Sequence, residues 1–272
     1  MKEIDPEFYD FMDLSEKNIT VEYIGSVIDD IEKGQENDPK VFKEMKNKRY
    51  DIIGIRENGR IFQYLKLNGD VEDIQLENII ADSTPLTNLT KIFSENINRK
   101  IFVLNKEEIK YIITKADLQK GPYCLFLFGL IVNFEITSRE FIKQIYDDTW
   151  ENKLSDNKLD DINDRFEDLK EKNQDIDKLH CTYLSELKPI LFKTKQFLSL
   201  CEKLNLSRTK AKDLFDHVSI LRNNLAHSRK SEDTIKDWKK ILNIAQKIPQ
   251  ITSEMRKEIK KRNPRSQKNS KV

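Results

Sequence analysis

The sequence of 272 residues contains little cysteine, glycine or proline: three, seven and seven residues, respectively. The cysteines are odd in number and widely spaced, so they form neither a disulfide framework nor a zinc-binding pattern. The longest apolar run, Cys124 to Val132, is far too short to span a membrane. The first residues lack the apolar core of a signal peptide. We therefore expect a cytoplasmic protein with no membrane partner and no metal.

No excess of one charge marks the whole chain as a nucleic-acid-binding protein, because 48 basic residues almost balance 47 acidic ones. Charged residues make up 35% and hydrophobic residues 38% of the chain, which is typical of soluble, helix-rich proteins. Eight basic residues and one glutamate lie between Arg256 and Lys271. We interpret residues 261–272 as a basic tail without packed structure that could contact phosphate.

The pattern of secondary-structure signals changes near residue 120. Before it, strand and helix signals alternate on a short scale, whereas long 3.6-residue periods with few glycines or prolines follow it. A chain of this length commonly holds two domains. We predict one domain at residues 1–120 and a helical domain at residues 121–260.

In the first domain, a unit of one helix and two strands occurs twice, about fifty residues apart. The first copy has a turn at Glu57-Asn-Gly59 that is typical of a hairpin. The second copy begins at Thr84-Pro85, where proline suits the first helical turn. The predicted elements are a helix at Val41–Met45, strands at Tyr50–Arg56 and Arg60–Leu65, a helix from Thr84 to Phe93, and strands at Lys100–Leu104 and Ile109–Thr114.

The second domain is predicted to be a bundle of about five helices. The fourth follows Leu206-Ser207-Arg208 and carries an apolar stripe of Leu214, Val218, Leu221 and Leu225. The others are predicted at Leu125–Tyr146, along a coiled-coil type face from Leu159 to Ile176, at Leu184–Leu204, and from Ser231-Glu-Asp-Thr234 towards Lys261.

The segment that closes the second copy, Tyr111-Ile-Ile-Thr-Lys-Ala-Asp-Leu118, resembles the signature of the CBS-domain pair, a regulatory module. The repeated strand pairs and Asp82-Ser-Thr-Pro-Leu86 extend the resemblance over roughly residues 15–120. It implies an adenine nucleotide as regulatory ligand, without distinguishing AMP, ADP and ATP. It also implies that Thr114 contacts phosphate, that Asp117 accepts hydrogen bonds from the ribose, and that Thr84 contacts base or ribose.

Thr114 and Asp117 also permit a structural interpretation. A carboxylate three residues after a hydroxyl, at a junction between strand and helix, can cap the helix by accepting backbone N–H groups. Both interpretations remain open from the sequence. The first copy has Lys66-Leu-Asn-Gly69 where the second has the threonine and aspartate, so we expect one nucleotide per chain.

The segment Leu221-Arg-Asn-Asn-Leu-Ala-His-Ser-Arg229 resembles the signature of the HEPN family of helical domains, over roughly residues 121–260. The resemblance implies that Arg222, Asn223 and His227 form an RNA-cleaving site, in a setting of stress response or defence. The apolar start Pro122–Leu130 is similar to proteins in which the two domains are fused. We therefore expect an α+β CBS pair followed by an all-α HEPN helical bundle.

The residue types of this motif suit RNA cleavage without a metal. Such cleavage needs a base for the 2′-OH proton and a cation for the charge on the phosphorane, roles that fit His227 and Arg222. Five residues turn an ideal helix by about 500°, leaving the two side chains roughly 140° apart. Either the helix ends between them, or a symmetric homodimer brings two motifs to one groove.

Two functions are compatible with these features. The first is a metal-independent endoribonuclease that acts on single-stranded RNA as a homodimer and is regulated by adenine nucleotide. The second is a non-catalytic nucleotide-sensing dimer or RNA-binding module. In a purely structural interpretation, Arg222 caps its helix and His227 forms a core hydrogen bond. His217, on the same predicted helix, is expected to pack or to face solvent.

Overall fold

The structure, a computed structural model, describes residues 19–172, 176–227 and 237–262. The described residues up to Phe126 form one compact unit, and those from Leu127 onward form another. The predicted boundary coincides with the start of a helix at Gly121, whereas the change of unit falls inside that helix. Most of the basic tail, from residue 263, and the predicted helix start at Ser231 to Thr234 lie outside the described residues.

The first unit contains two copies of a strand, a helix and a hairpin. The first copy comprises β2 (Asp30–Glu32), α1 (Pro39–Lys48), β3 (Ile52–Glu57) and β4 (Arg60–Lys66), and the second comprises β6 (Ile79–Ala81), α2 (Leu86–Glu95), β7 (Ile101–Asn105) and β8 (Glu108–Ile113). In each copy the opening strand is parallel to the next, and the hairpin is antiparallel. The predicted helices and hairpins are confirmed as elements, while both opening strands were missed.

A further short strand precedes each copy and completes a four-stranded sheet. The strand β5 (Val71–Asp73) pairs with β4, giving the order β2-β3-β4-β5. The strand β1 (Ser26–Val27) pairs instead with β8 of the second copy, giving β1-β8-β7-β6. Ser26 lies opposite Ile112, so this pairing places Ser26 near the end of β8.

Local chemistry explains where the elements of the first copy begin and end. Asp38 caps α1 by accepting a hydrogen bond from the Lys40 amide at 2.9 Å, and Pro39 occupies the first turn. The turn between β3 and β4 places Asn58 and Gly59 at positive φ, as a type I′ hairpin requires. The predicted turn at Glu57-Asn-Gly59 is therefore confirmed.

Apolar side chains join the two copies. Ile28 and Ile61 of the first copy pack with Phe102 and Ile109 of the second, and the Tyr64 and Phe102 ring centroids are 5.4 Å apart. Each fully buried side chain of this size contributes about 1.5–3 kcal/mol. A separate cluster under α1 fills the first copy and comprises Val41, Met45, Ile53, Ile55 and Leu65.

The second unit, in its described part, is helical. Its helices are α3 (Gly121–Tyr146, which begins in the first unit), α4 (Asp156–Glu171), α5 (Leu184–Phe192), α6 (Lys195–Lys203), α7 (Arg208–Ala226) and α8 (Trp238–Arg262). Phe134, Phe192, Phe197 and Phe215 pack edge to face at its centre, with ring centroids 5.2–5.6 Å apart. None of the helices in the described ranges has the length and apolar composition that a bilayer crossing needs.

The single helix predicted at Leu184–Leu204 is wrong, because the segment forms two helices. Thr194 adopts an extended conformation between α5 and α6, and its hydroxyl donates a hydrogen bond to the Ile190 carbonyl at 2.8 Å. This hydroxyl bond is not the cause of the break, since Thr137 and Thr252 form the same bond within the continuous helices α3 and α8. The apolar period continues across the break, which is why the sequence did not show it.

Candidate functional site

The Thr114 and Asp117 side chains meet in the turn after β8, at the start of a 3₁₀ helix at Lys115–Gln119. One Asp117 oxygen, Oδ2, accepts hydrogen bonds from the Thr114 amide at 2.7 Å and the Thr114 hydroxyl at 3.0 Å. This turn has a capping-box arrangement. The structure therefore contains the cap, and this does not decide whether Asp117 also binds a nucleotide.

The second Asp117 oxygen, Oδ1, has partners that come from outside the motif. It accepts a hydrogen bond from the Ser26 hydroxyl at 2.6 Å and pairs with the Lys120 ammonium at 2.8 Å. Lys120 also donates to the Ile24 carbonyl at 2.6 Å and to the Ser26 hydroxyl at 2.9 Å. Because Asp117 is only 5% exposed, Lys120 rather than water balances its charge. Sequence reasoning missed Ser26 and Lys120.

A cavity of about 310 Å³ adjoins this turn, and Ser26, Thr114 and Asp117 form part of its wall. Three cationic residues, Lys48, Arg49 and Lys100, and two further acidic residues, Asp29 and Asp51, contribute to the wall as well. This volume lies at the lower end of the range for small-molecule sites, about 300–1,000 Å³. Cationic side chains together with a hydroxyl and a carboxylate suit a ligand that carries both an anionic group and hydroxyl groups.

The cationic side chains of this wall differ in their partners. Lys48 forms ion pairs with Asp29 and Glu44, each at 2.8 Å, and the hydrogen bond to Asp29 is the main cause that raises the Lys48 pKa. Within the described residues, Arg49 and Lys100 form no side-chain hydrogen bond or ion pair. These two cations are therefore the ones available to an anionic ligand.

Arg49 adopts a backbone conformation that normally favours glycine. It follows the last residue of α1 with φ of 58°, in the left-handed region. A non-glycine residue there costs about 1–2 kcal/mol. The arginine side chain at this point reaches the cavity wall, whereas a glycine would supply no cation. Strained residues cluster at ligand-binding and active sites, so the conformation of Arg49 supports a role for its side chain in binding a ligand.

Thr84 lies elsewhere in the first unit. Its carbonyl accepts a hydrogen bond from the Val21 amide at 2.9 Å, just before α2. It is not among the described residues that line the cavity beside Thr114 and Asp117. The structure brings two of the three predicted nucleotide-binding residues together, and the contact predicted for Thr84 stays a prediction.

Arg222, Asn223 and His227 lie at the C-terminal end of α7. The helix ends at Ala226, and the His227 amide donates the last hydrogen bond, to the Asn223 carbonyl at 3.1 Å. The first of the two alternatives for the motif is thus observed, because the helix ends between the arginine and the histidine. His227 is exposed, so it does not form the core hydrogen bond of the structural interpretation.

The Arg222 guanidinium is held by α3 and does not cap its own helix. Its Nε atom lies 3.5 Å from Oε1 of Glu135, a buried residue of α3. The other Glu135 oxygen lies 3.5 Å from Arg139, which donates to the Thr182 carbonyl at 2.8 Å. Burial lowers the Arg139 pKa, and the Glu135 carboxylate opposes this effect. One buried carboxylate thus lies between two guanidinium groups.

Two buried polar atoms in this cluster, Ser138 Oγ and Arg139 Nε, have no hydrogen-bond partner among the described residues, and Glu135 Oε1 has only the ion pair with Arg222 at 3.5 Å. Buried polar groups are nearly always paired, so unpaired ones call for an explanation, such as a functional role. Sequence reasoning missed Glu135 and Arg139. The signal was there, since Glu135 and Arg139, four residues apart on the predicted helix, are opposite charges that follow an almost entirely apolar run.

The three side chains of the motif are only partly joined. Arg222 contacts the Asn223 side chain, with NH1 3.4 Å from Oδ1, but no hydrogen bond joins Arg222 to His227 in the described residues. His217 lies ten residues earlier on α7 and is partly buried, as predicted. The described residues contain no cluster of histidine, cysteine, aspartate or glutamate that could hold a metal ion. Comparisons with protein families, with curated proteins and with solved structures found no match to this chain.

Proposed function

We propose that this protein is an endoribonuclease of the HEPN type, regulated by an adenine nucleotide that binds a CBS-like first unit. One observation carries the proposal: the end of α7 carries an exposed imidazole, His227, close in sequence to a guanidinium, Arg222, that a buried carboxylate holds. The two groups match the requirements of RNA cleavage through the 2′-OH, and no step of that reaction needs a metal.

In the proposed reaction, His227 takes the proton from the 2′-OH, and the 2′ oxygen attacks the neighbouring phosphorus. The 5′ oxygen of the next nucleotide leaves and takes up the proton carried by the His227 imidazolium, which restores the neutral imidazole and gives a 2′,3′-cyclic phosphate and a 5′-OH. Arg222 stabilises the negative charge of the phosphorane, because a guanidinium can hold two phosphate oxygens. Glu135 keeps the guanidinium in place. Single-stranded RNA is the preferred substrate, because a duplex opposes in-line attack.

The proposed active form is a homodimer. Arg222 and His227 lie on either side of the end of α7, with no bond between their side chains in the described residues. A two-fold axis would bring two copies of the motif to one groove. In such a groove, the arginine of one chain and the histidine of the other can act on the same phosphate.

The proposed nucleotide site is the cavity beside Thr114 and Asp117. Arg49 and Lys100 would bind the phosphate, Asp117 the ribose, and the Tyr50 ring in the same wall would provide an aromatic surface for the base. Regulation requires that the nucleotide bind the active and the inactive state with different affinity. A change in the cleavage rate with nucleotide would measure that difference.

The Arg49→Gly variant separates the ligand role of this residue from its structural role. We expect the affinity for AMP to fall about 10- to 100-fold, because one charge-assisted hydrogen bond is worth about 1.5–3 kcal/mol. The free energy of unfolding should not fall and should rise by roughly 0.5 kcal/mol, because glycine tolerates the positive φ. Titration calorimetry and urea unfolding measure the two effects. Unchanged affinity would remove Arg49 from the site.

Adenine nucleotide should raise the melting temperature of the protein, because a ligand that binds only the folded state stabilises it by mass action. In Asp117→Ala, most of this shift should disappear. The variant will also melt lower without ligand, since the alanine removes the cap and the partner of Lys120, so the shift must be compared with each variant's own baseline. A full shift in Asp117→Ala would place the ligand elsewhere.

The proposal as a whole is tested by incubating pure protein with mixed RNA and a chelator, with and without AMP, ADP or ATP. Cleavage that leaves cyclic phosphate ends and changes with nucleotide would support it. RNA that stays intact under every condition, together with nucleotide binding, would favour the alternative of a non-catalytic nucleotide-sensing dimer.

A further inference from the structure

The hydrogen bonds around Asp117 leave no free position on its carboxylate for the proposed ligand. An ionised carboxylate offers about four acceptor positions. The Thr114 amide and hydroxyl occupy two on Oδ2, and the Ser26 hydroxyl and Lys120 ammonium occupy two on Oδ1. A ligand hydroxyl can therefore bond to Asp117 only by displacing one of these donors.

The four donors are not equally replaceable. The Thr114 amide is fixed in the backbone turn, and the Thr114 hydroxyl belongs to the same turn. Lys120 carries the charge that balances Asp117, and its three N–H donors are all used, by Asp117, Ser26 and the Ile24 carbonyl. Ser26 is neutral and lines the cavity itself. Rotation of its side chain opens a position on Oδ1 at the lowest cost.

A sugar hydroxyl can reproduce both bonds of the Ser26 hydroxyl. Ser26 donates to Asp117 at 2.6 Å and accepts from Lys120 at 2.9 Å, and any hydroxyl can donate one hydrogen bond while accepting another. A phosphate oxygen would face the Asp117 carboxylate as a second anion. A base nitrogen could make one of the two bonds but not both.

We propose that Ser26 is an internal stand-in for the ligand: in the unliganded protein its hydroxyl occupies the position on Asp117 that a ribose hydroxyl takes on binding. Ligand binding then frees the Ser26 side chain from Asp117, while the strand β1 stays paired with β8. This inference rests on the proposed nucleotide site and adds what holds the ligand's position on Asp117 before binding.

The test compares Ser26→Ala with the unmodified protein for two probes, AMP and 2′,3′-dideoxy-AMP, by titration calorimetry. Without the serine hydroxyl, AMP has no donor to displace, so it should bind about 3- to 10-fold tighter, the equivalent of one net hydrogen bond. The dideoxy probe has no ribose hydroxyl to place there and should gain nothing. The unliganded variant should melt at a lower temperature. Ser94→Ala, an exposed serine on α2, is the matched control and should change neither affinity.

Each other outcome is decisive. An equal gain for both probes would mean only that the cavity became larger, and would overturn the inference. Unchanged AMP affinity in Ser26→Ala would mean that the ligand displaces no serine hydroxyl, and weaker AMP binding would mean that Ser26 contacts the ligand directly. Either result would overturn the inference too. If neither probe binds the unmodified protein, the proposed nucleotide site is wrong, and the inference is wrong with it.

Discussion

Replacing His227 with alanine is expected to lower the rate of RNA cleavage by about 10²–10⁴-fold, the usual contribution of a general acid or base. The fold should persist, because His227 is exposed at the end of α7 and no described residue bonds its imidazole. Single-turnover cleavage of an end-labelled, single-stranded RNA measures the effect, and circular dichroism checks the fold.

His217→Ala provides the matched control for this measurement. It removes a histidine from the same helix at a position that lies partly within the protein, and it should leave the rate nearly unchanged. Activity that survives His227→Ala would indicate another base or a contaminating nuclease. Products that end in a 3′-hydroxyl would point to a different chemistry and would contradict the proposed attack by the 2′-OH.

Replacing Arg222 with alanine is expected to lower the rate by about 10²–10³-fold, as the loss of one group that stabilises transition-state charge does in other enzymes. Arg222→Lys should recover only part of the rate, because an ammonium cannot hold two phosphate oxygens in the fixed geometry of a guanidinium. The rate constant at saturating RNA measures both variants. A lysine variant as active as the unmodified protein would reduce Arg222 to a general source of positive charge.

Mixing the two inactive variants tests whether the site is shared between chains. If each groove combines Arg222 of one chain with His227 of the other, a hybrid dimer of Arg222→Ala and His227→Ala has one intact groove. Refolding the variants together should then restore a part of the activity, up to about half per hybrid dimer, since one of two symmetric sites is complete. Mixtures that stay inactive, although hybrids form, would place both residues in one chain's site.

The charged side chains behind Arg222 hold its guanidinium in position. Glu135 is buried, and it lies 3.5 Å from both Arg222 and Arg139. Two guanidinium groups thus balance the Glu135 carboxylate, and loss of Arg222 would leave it with Arg139 alone. More than a third of the Arg222 side chain is accessible, as the proposed contact with RNA requires.

Much of the local structure follows from the sequence. The two helix-and-hairpin copies were predicted from alternating apolar residues and from the Asn58-Gly59 turn, whose positive φ angles the structure confirms. The spacing of Thr114 and Asp117 left a cap open beside nucleotide binding, and the turn contains the cap. The start of α7 after Ser207 and its buried stripe were also predicted, apart from Leu225, which is only partly buried. These features depend on residues at most a few positions apart, which is the range over which sequence patterns are informative.

Short elements escaped prediction for a physical reason. The strands β1, β2, β5 and β6 have only two or three residues each, too few to show a period. Their pairing depends on the sheets that the longer hairpins build. The break between α5 and α6 was hidden because the apolar period runs through it, although the backbone at Thr194 is extended.

By itself, the sequence determined the residue types that can do chemistry and the elements that carry them: Thr114 and Asp117 after a strand, and Arg222 and His227 at a helix end. Only the tertiary structure decided their partners. Ser26 reaches Asp117 across 91 positions because β1 pairs with β8, and Glu135 reaches Arg222 because α3 packs near α7. Such contacts depend on how distant segments pack. The apolar pattern of a sequence shows which residues are buried, but hydrophobic burial is non-directional, so the pattern does not show which polar groups will meet.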